Sequence, residues 1–281
     1  MLGGAMSGHR RGLRPDEFGG KLLVIGGAES HSEDCDDSIL ERFVALAGGP
    51  QARLVVIATA SESPDEREKE YVEVFTGLGA QEVVPLRLES REQANGEEAV
   101  AALEHATGVF FTGGDQHRIT TVLGGSKADR TLHTRLSEGL VLAGTSAGAA
   151  MMSSTMILGG HEAAVSTGSV RTGPGMEFLP GVLIDMHFAE RGRLNRLLSA
   201  IAMFPHELGL GIDENTAILV DGDRFEVLGA GTVTVIDAGQ AATVCAPVDT
   251  DGPVALRGVQ LHVLPAGYAF DLTERAPIGV G

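Results

Sequence analysis

Short runs rich in Val, Ile and Leu recur at residues 21–27, 53–60, 82–88, 108–114 and 140–146, with stretches of helical character at residues 65–78, 97–105 and 130–138 between them. Near-continuous apolar strands separated by helices predict a parallel sheet covered on both faces, because such strands have no side to leave in water. The chain is therefore read as α/β and doubly wound. Another strand is expected at residues 182–188 and a helix at 190–203. The pattern then changes: residues 216–220 and 224–228 flank Asp221-Gly222-Asp223, a hairpin signal, and residues 232–237 and 259–264 read as further short strands. These C-terminal strands are expected to be antiparallel and packed onto the same, mostly parallel sheet. No repeat or low-complexity linker interrupts the pattern, so residues 19–281 are read as a single domain and 1–18 as a disordered tail.

At 281 residues, 43% hydrophobic, the chain has ample material for a buried core. Its formal net charge of −17 is opposite to what phosphate neutralisation needs, so nucleic acid is not an expected partner. No apolar run reaches the roughly 18 residues that suggest a membrane span, and Arg10, Arg11 and Arg14 have no apolar stretch behind them to form a signal peptide. No membrane association is expected, and a cytoplasmic location is. Cys35 and Cys245 are too few for a disulfide framework or a thiolate metal site.

The sharpest motif is Gly144-Thr145-Ser146-Ala147-Gly148, a G-x-S-x-G match placed between a predicted strand and a helix. A tight strand-to-helix turn strains its central residue and needs very small neighbours. It would lift the Ser146 hydroxyl to the carboxyl end of the sheet, with the Ala147 N–H opening a helix beside it. The preceding strand ends in Thr112-Gly113-Gly114-Asp115-Gln116, a loop that a parallel sheet would place next to this turn. Gly114 is the candidate second oxyanion donor, and Gln116 a candidate for orienting substrate. Gly26-Gly27-Ala28-Glu29 follows the first strand but lacks the G-x-G-x-x-G pattern, and its acid would oppose a pyrophosphate.

A serine nucleophile needs a base. Among nine histidines, His187 stands at the end of an apolar strand, with Asp185 two residues earlier on the same face. The orienting acid is open among Asp213, Glu214 and Asp185. Arg191, Arg193 and Arg196 follow His187 in a predicted helix, and guanidinium forks bind carboxylates bidentately, so a substrate with carboxylates is suggested.

Taken together, Gly26-Gly27-Ala28-Glu29, Thr112-Gly113-Gly114-Asp115-Gln116, Gly144-Thr145-Ser146-Ala147-Gly148-Ala149 and Asp185-Met186-His187-Phe188 with the arginines resemble the cyanophycinases. These are members of the serine peptidase family that also holds the aspartyl dipeptidases, with a class I glutamine amidotransferase-like fold. The resemblance implies cleavage of cyanophycin, a poly-aspartate chain carrying arginine on each side-chain carboxyl, to β-Asp-Arg dipeptides. It implies Ser146 as nucleophile, His187 as base and Glu214 as acid, with Gln116, Asp185, Arg191, Arg193 and Arg196 lining the substrate pocket. It further implies a homodimer with no metal or cofactor. One departure is Met186, where the family pattern leads us to expect Gln.

Two rival readings remain at this level: a dipeptidase for short Asp-X peptides using the same triad, and a catalytically silent small-molecule binding protein on the same scaffold. A glutaminase is disfavoured, since that chemistry on this fold places Cys at the turn and neither cysteine sits in one.

Overall fold

The computed structural model describes residues 19–29, 38–160, 164–245 and 252–279. The predicted tail at residues 1–18, as well as Cys35, lies outside the described residues. Five strands, β1 (Lys21–Ile25), β2 (Arg53–Ile57), β3 (Glu82–Pro85), β4 (Gly108–Phe111) and β5 (Val141–Thr145), pair in parallel in the order β1-β5-β4-β2-β3. Between them run α1 (Ser38–Leu46), α2 (Pro64–Gly77), α3 (Arg91–Ala94), α4 (Glu97–His105), α5 (Gln116–Leu123) and α6 (Lys127–Ser137).

Strands β1, β2, β4 and β5 are buried almost end to end, as a sheet covered twice requires. One face packs on α1 and α2 through Ile39, Phe43, Tyr71 and Phe75, and the three rings close around Phe110 at centroid distances of 4.6 to 5.8 Å. The other face packs on α4 and α6 through Leu103, Leu132 and Leu136. The carboxyl ends are in register, Ile25 beside Thr145 and Phe111 beside Gly144, so the loops after β1, β4 and β5 open on one edge.

Beyond β5 come the short α7 (Ala147–Ala150), the hairpin β6 (Thr155–Gly160) and β7 (Val170–Pro174), then β8 (Val182–Met186), α8 (Leu194–Met203) and β9 (Leu208–Ile212). The chain continues through β10 (Thr216–Asp221), β11 (Arg224–Gly229), β12 (Thr232–Asp237), β13 (Thr243–Cys245), β14 (Ala255–Arg257), β15 (Gln260–Pro265), β16 (Ala269–Asp271) and β17 (Ala276–Ile278). The mostly parallel sheet with antiparallel C-terminal strands is as expected: β10, β11, β16 and β17 extend it antiparallel from β1, in the order β17-β16-β11-β10-β1. Of the C-terminal strands expected on that sheet, β12 and β15 are corrected. β8 and β9 pair with each other in parallel and with β12 and β15 in a separate four-stranded sheet. β12 has β9 on one side and β15 on the other, so its backbone groups are satisfied within the second sheet. Among the described residues, no helix is long and apolar enough to cross a membrane.

Candidate active site

The turn after β5 is the tight one its small residues predict. Ser146 adopts φ 52° and ψ −108°, a conformation outside the regions open to ordinary L-residues. Gly144 and Gly148 are needed on either side: a Cβ on Gly144 would lie 2.3 Å from the Gly148 carbonyl oxygen, and one on Gly148 would lie 2.4 Å from that of Phe111. The Ser146 N–H donates to the Ile25 carbonyl at 3.0 Å, which ties the nucleophile candidate to the end of β1.

His187 arrives from the second sheet. It follows the last residue of β8, adopts φ 48°, and its N–H donates to the Gly26 carbonyl at 2.9 Å. Its ring lies against the turn after β1, where a Cβ on Gly27 would approach Cε1 to 2.3 Å, so only glycine leaves room. Nε2 sits 2.9 Å from Ser146 Oγ, and Nδ1 sits 2.6 Å from Glu214 Oε1. A carboxylate only accepts, so its contact with Nδ1 puts the ring proton there and turns the Nε2 lone pair toward the hydroxyl. Glu214 lies in the link from β9 to β10, the point where the chain passes from the second sheet back to the first. The three side chains therefore come from separate elements and meet in a line.

Of the three candidate acids, only Glu214 reaches His187. Asp213, one residue earlier, accepts from the Ala189 N–H at 3.0 Å, the Thr232 N–H at 3.0 Å and the Thr232 hydroxyl at 2.8 Å, so it braces the turn after His187 against β12. Asp185 is completely buried. Its carboxylate takes both Nε and Nη2 of Arg196, the Nε contact at 3.0 Å, and lies 3.5 Å from Nη1 of Arg193, which also donates to the Met186 carbonyl.

That cluster corrects the expectation that Asp185 receives a substrate guanidinium and that Arg193 and Arg196 grip substrate carboxylates. The two guanidiniums share the one carboxylate in the interior. The predicted helix start is corrected with it: α8 begins at Leu194, because Gly192 takes φ 61° and residues 189–193 form turns that bring Arg193 and Arg196 inward. Arg191 is exposed on that turn. Gln116 donates its amide to the Ile157 carbonyl at 2.6 Å, joining α5 to β6. Met186 packs into the hydrophobic core, so the departure from Gln removes no polar group from the cleft lining.

A cleft of about 700 Å³ opens over Ser146 and His187. Gly113 and Gly114 line it beside the nucleophile candidate. Gly114 has φ 140°, and a Cβ there would lie 2.0 Å from the Ala60 carbonyl oxygen. Ala147 opens α7, so its N–H has no partner within the helix. The cleft's charged rim was not foreseen in the sequence: Glu62, Glu66 and Arg67 from the β2–α2 connection and α2, and Asp115 and Arg118 from the start of α5. The floor holds Glu29, only 1% exposed, which accepts from the Tyr71 hydroxyl at 2.7 Å and the Thr145 hydroxyl at 2.6 Å. Burial, followed by the negative charge of Glu29, raises the Tyr71 hydroxyl well above its ordinary value.

Comparison with known proteins bears on the fold and the family. A solved peptidase from an acI-B1 actinobacterium has the same fold, with a TM-score of 0.62, 22% identity, and coverage of 91% of this chain and 98% of that one. A cyanophycinase from Nostoc sp. is 38% identical over 258 residues, spanning 90% of this chain and 86% of the relative. One from Geminocystis herdmanii is 37% identical over 264 residues, spanning 92% and 95%. The model of peptidase family S51 matches residues 22–228. With the match covering Ser146, His187 and Glu214 alike, the chain belongs to peptidase family S51.

Proposed function

We propose that this peptidase hydrolyses cyanophycin to β-Asp-Arg dipeptides through an acyl-enzyme. The observation that carries the reading is the continuous hydrogen-bonded line from Ser146 through His187 to Glu214 at the floor of an open, charged cleft. The relatives named cyanophycinases supply the substrate. In the first half-reaction His187 Nε2 takes the hydroxyl proton as Ser146 Oγ attacks the backbone carbonyl carbon. The N–H groups of Gly114 and Ala147 then stabilise the oxyanion. His187 passes the proton to the departing amine, and an ester to Ser146 remains. Water, deprotonated by His187, cleaves that ester and frees a carboxylic acid and the serine. Glu214 holds the imidazole tautomer and compensates its transient positive charge. These steps use three side chains, two backbone N–H groups and water.

The substrate carries carboxylates and guanidiniums, and the rim offers both counterparts. Glu62, Glu66 and Asp115 suit arginyl side chains, whereas Arg67 and Arg118 suit carboxylates, a role the sequence assigned to Arg193 and Arg196. Arg191 and Gln116 stay in the proposal as outer contacts. A homodimer in the cytoplasm completes the reading.

Mass spectrometry of the products released from cyanophycin granules tests it directly. Release of β-Asp-Arg is expected. Cleavage of Asp-X dipeptides with intact granules would establish the dipeptidase instead.

A further inference from the structure

We propose that Glu29 is a positioning residue for the nucleophile, acting through the hydroxyl of Thr145; this rests on the reading of Ser146 as nucleophile. The turn at residues 26–29 touches the neighbourhood of all three members of the triad. The Gly26 carbonyl accepts from the His187 N–H at 2.9 Å, and the Gly27 carbonyl accepts from the N–H of Asn215, next to Glu214, at 2.8 Å. Both are backbone contacts that other sequences could make. The third contact depends on a particular side chain, since Glu29 Oε2 accepts from the Thr145 hydroxyl at 2.6 Å, one residue before Ser146.

Burying a carboxylate at 1% exposure carries a desolvation cost that an apolar residue would not incur. Glu29 receives hydroxyl hydrogen bonds rather than the guanidinium grip that Asp185 has. Its placement makes sense as a geometric constraint. Thr145 is β-branched, so its side chain and backbone are stiffly coupled, and fixing its hydroxyl fixes the last residue of β5. The backbone of Ser146 is tied to Ile25 on the other side of the same peptide link. Between them these bonds hold a nucleophile at φ 52° that has little local preference for that conformation. Tyr71, packed against Phe110 at 4.6 Å, holds the other oxygen of Glu29 and so sets the direction from which Oε2 meets Thr145.

The test measures the rate at which diisopropyl fluorophosphate modifies Ser146. In that step an Oγ–P bond forms, fluoride leaves and His187 takes the proton, so the rate reports alignment without substrate recognition. Steady-state hydrolysis of cyanophycin is measured alongside. Thr145→Val, which keeps the shape and loses the hydroxyl, is expected to lower both the modification rate and kcat by about 10-fold or more, with KM within about twofold. Thr145→Ser, which restores the hydroxyl, should return both rates to within about threefold of the wild type. Glu29→Gln should fall between them, because an amide can accept through its oxygen alone. A purely structural role would lower Tm in Thr145→Val and leave both rates unchanged below the transition, and that result overturns the proposal. Should Glu29→Gln not fold, the two Thr145 variants decide. A wild type that resists the reagent would remove the nucleophile itself and this inference with it, whereas a reactive wild type matched by Thr145→Val would remove only the inference.

Discussion

Asp185 and Glu29 are both buried carboxylates near the triad, and the protein compensates them in opposite ways. Asp185 lies within β8, outside the cleft lining, and is gripped by Arg196 with Arg193 beside it, so that its charge is compensated inside the fold. Glu29 faces the cleft and receives hydroxyls from Tyr71 and Thr145. An ion pair in the interior is costly to break from one side, because the abandoned partner stays buried and charged. Hydroxyl donors leave smaller debts when removed. The difference teaches where this fold locates rigidity and where it locates alignment. The arginine-bound acid locks the turn that delivers His187, and the hydroxyl-bound acid trims the turn that presents Ser146.

The comparison can be broken by measuring unfolding in denaturant. Asp185→Ala should cost about 3–5 kcal/mol, since it strands two buried guanidiniums. Glu29→Gln should cost less, about 1–2 kcal/mol, as one hydroxyl loses an acceptor. Equal losses would show that the two acids do not differ as described. Tyr71→Phe gives the smallest effect, about 1 kcal/mol at neutral pH, and adds a pH signature. The folded protein holds the Tyr71 proton more tightly than the unfolded chain does. Wild-type stability is therefore fully present below the ordinary value of 10.0 and is lost as pH rises above it. Tyr71→Phe should lack that alkaline loss, so the gap between the two proteins should close or invert above pH 10.0. Parallel alkaline curves would argue against the buried hydroxyl.

How much of this was legible in the sequence depended on how local the determinant was. The turn at Ser146 is written in five consecutive residues, and the covered parallel sheet in its apolar runs. His187 was found because it ends a strand. Spacing left Asp213 and Glu214 equivalent, since they are neighbours in one link and their roles diverge only once the turn after His187 supplies Ala189 and β12 supplies Thr232 to Asp213. Strand β9 was unreadable for a packing reason. Its Gly209 and Gly211 weaken the strand signal, yet a Cβ on Gly211 would come within 2.5 Å of the Phe188 ring, and one on Gly209 within 2.9 Å of Ile201. The arginines were misplaced because Gly192 turns the chain where a helical pattern runs on. Glu29 is legible in the sequence as an obstacle to phosphate and as part of a family motif, without a role of its own; its partners Tyr71 and Thr145 lie 42 and 116 residues away, and no local pattern links them.

The most direct measurement is the initial rate of β-Asp-Arg release from cyanophycin by the wild type and by Ser146→Ala at matched Tm. The expected result is a loss of at least about 10⁴-fold in kcat in a folded variant. Release by Ser146→Ala within about tenfold of the wild-type rate would contradict the account, because no acyl-enzyme could then lie on the path.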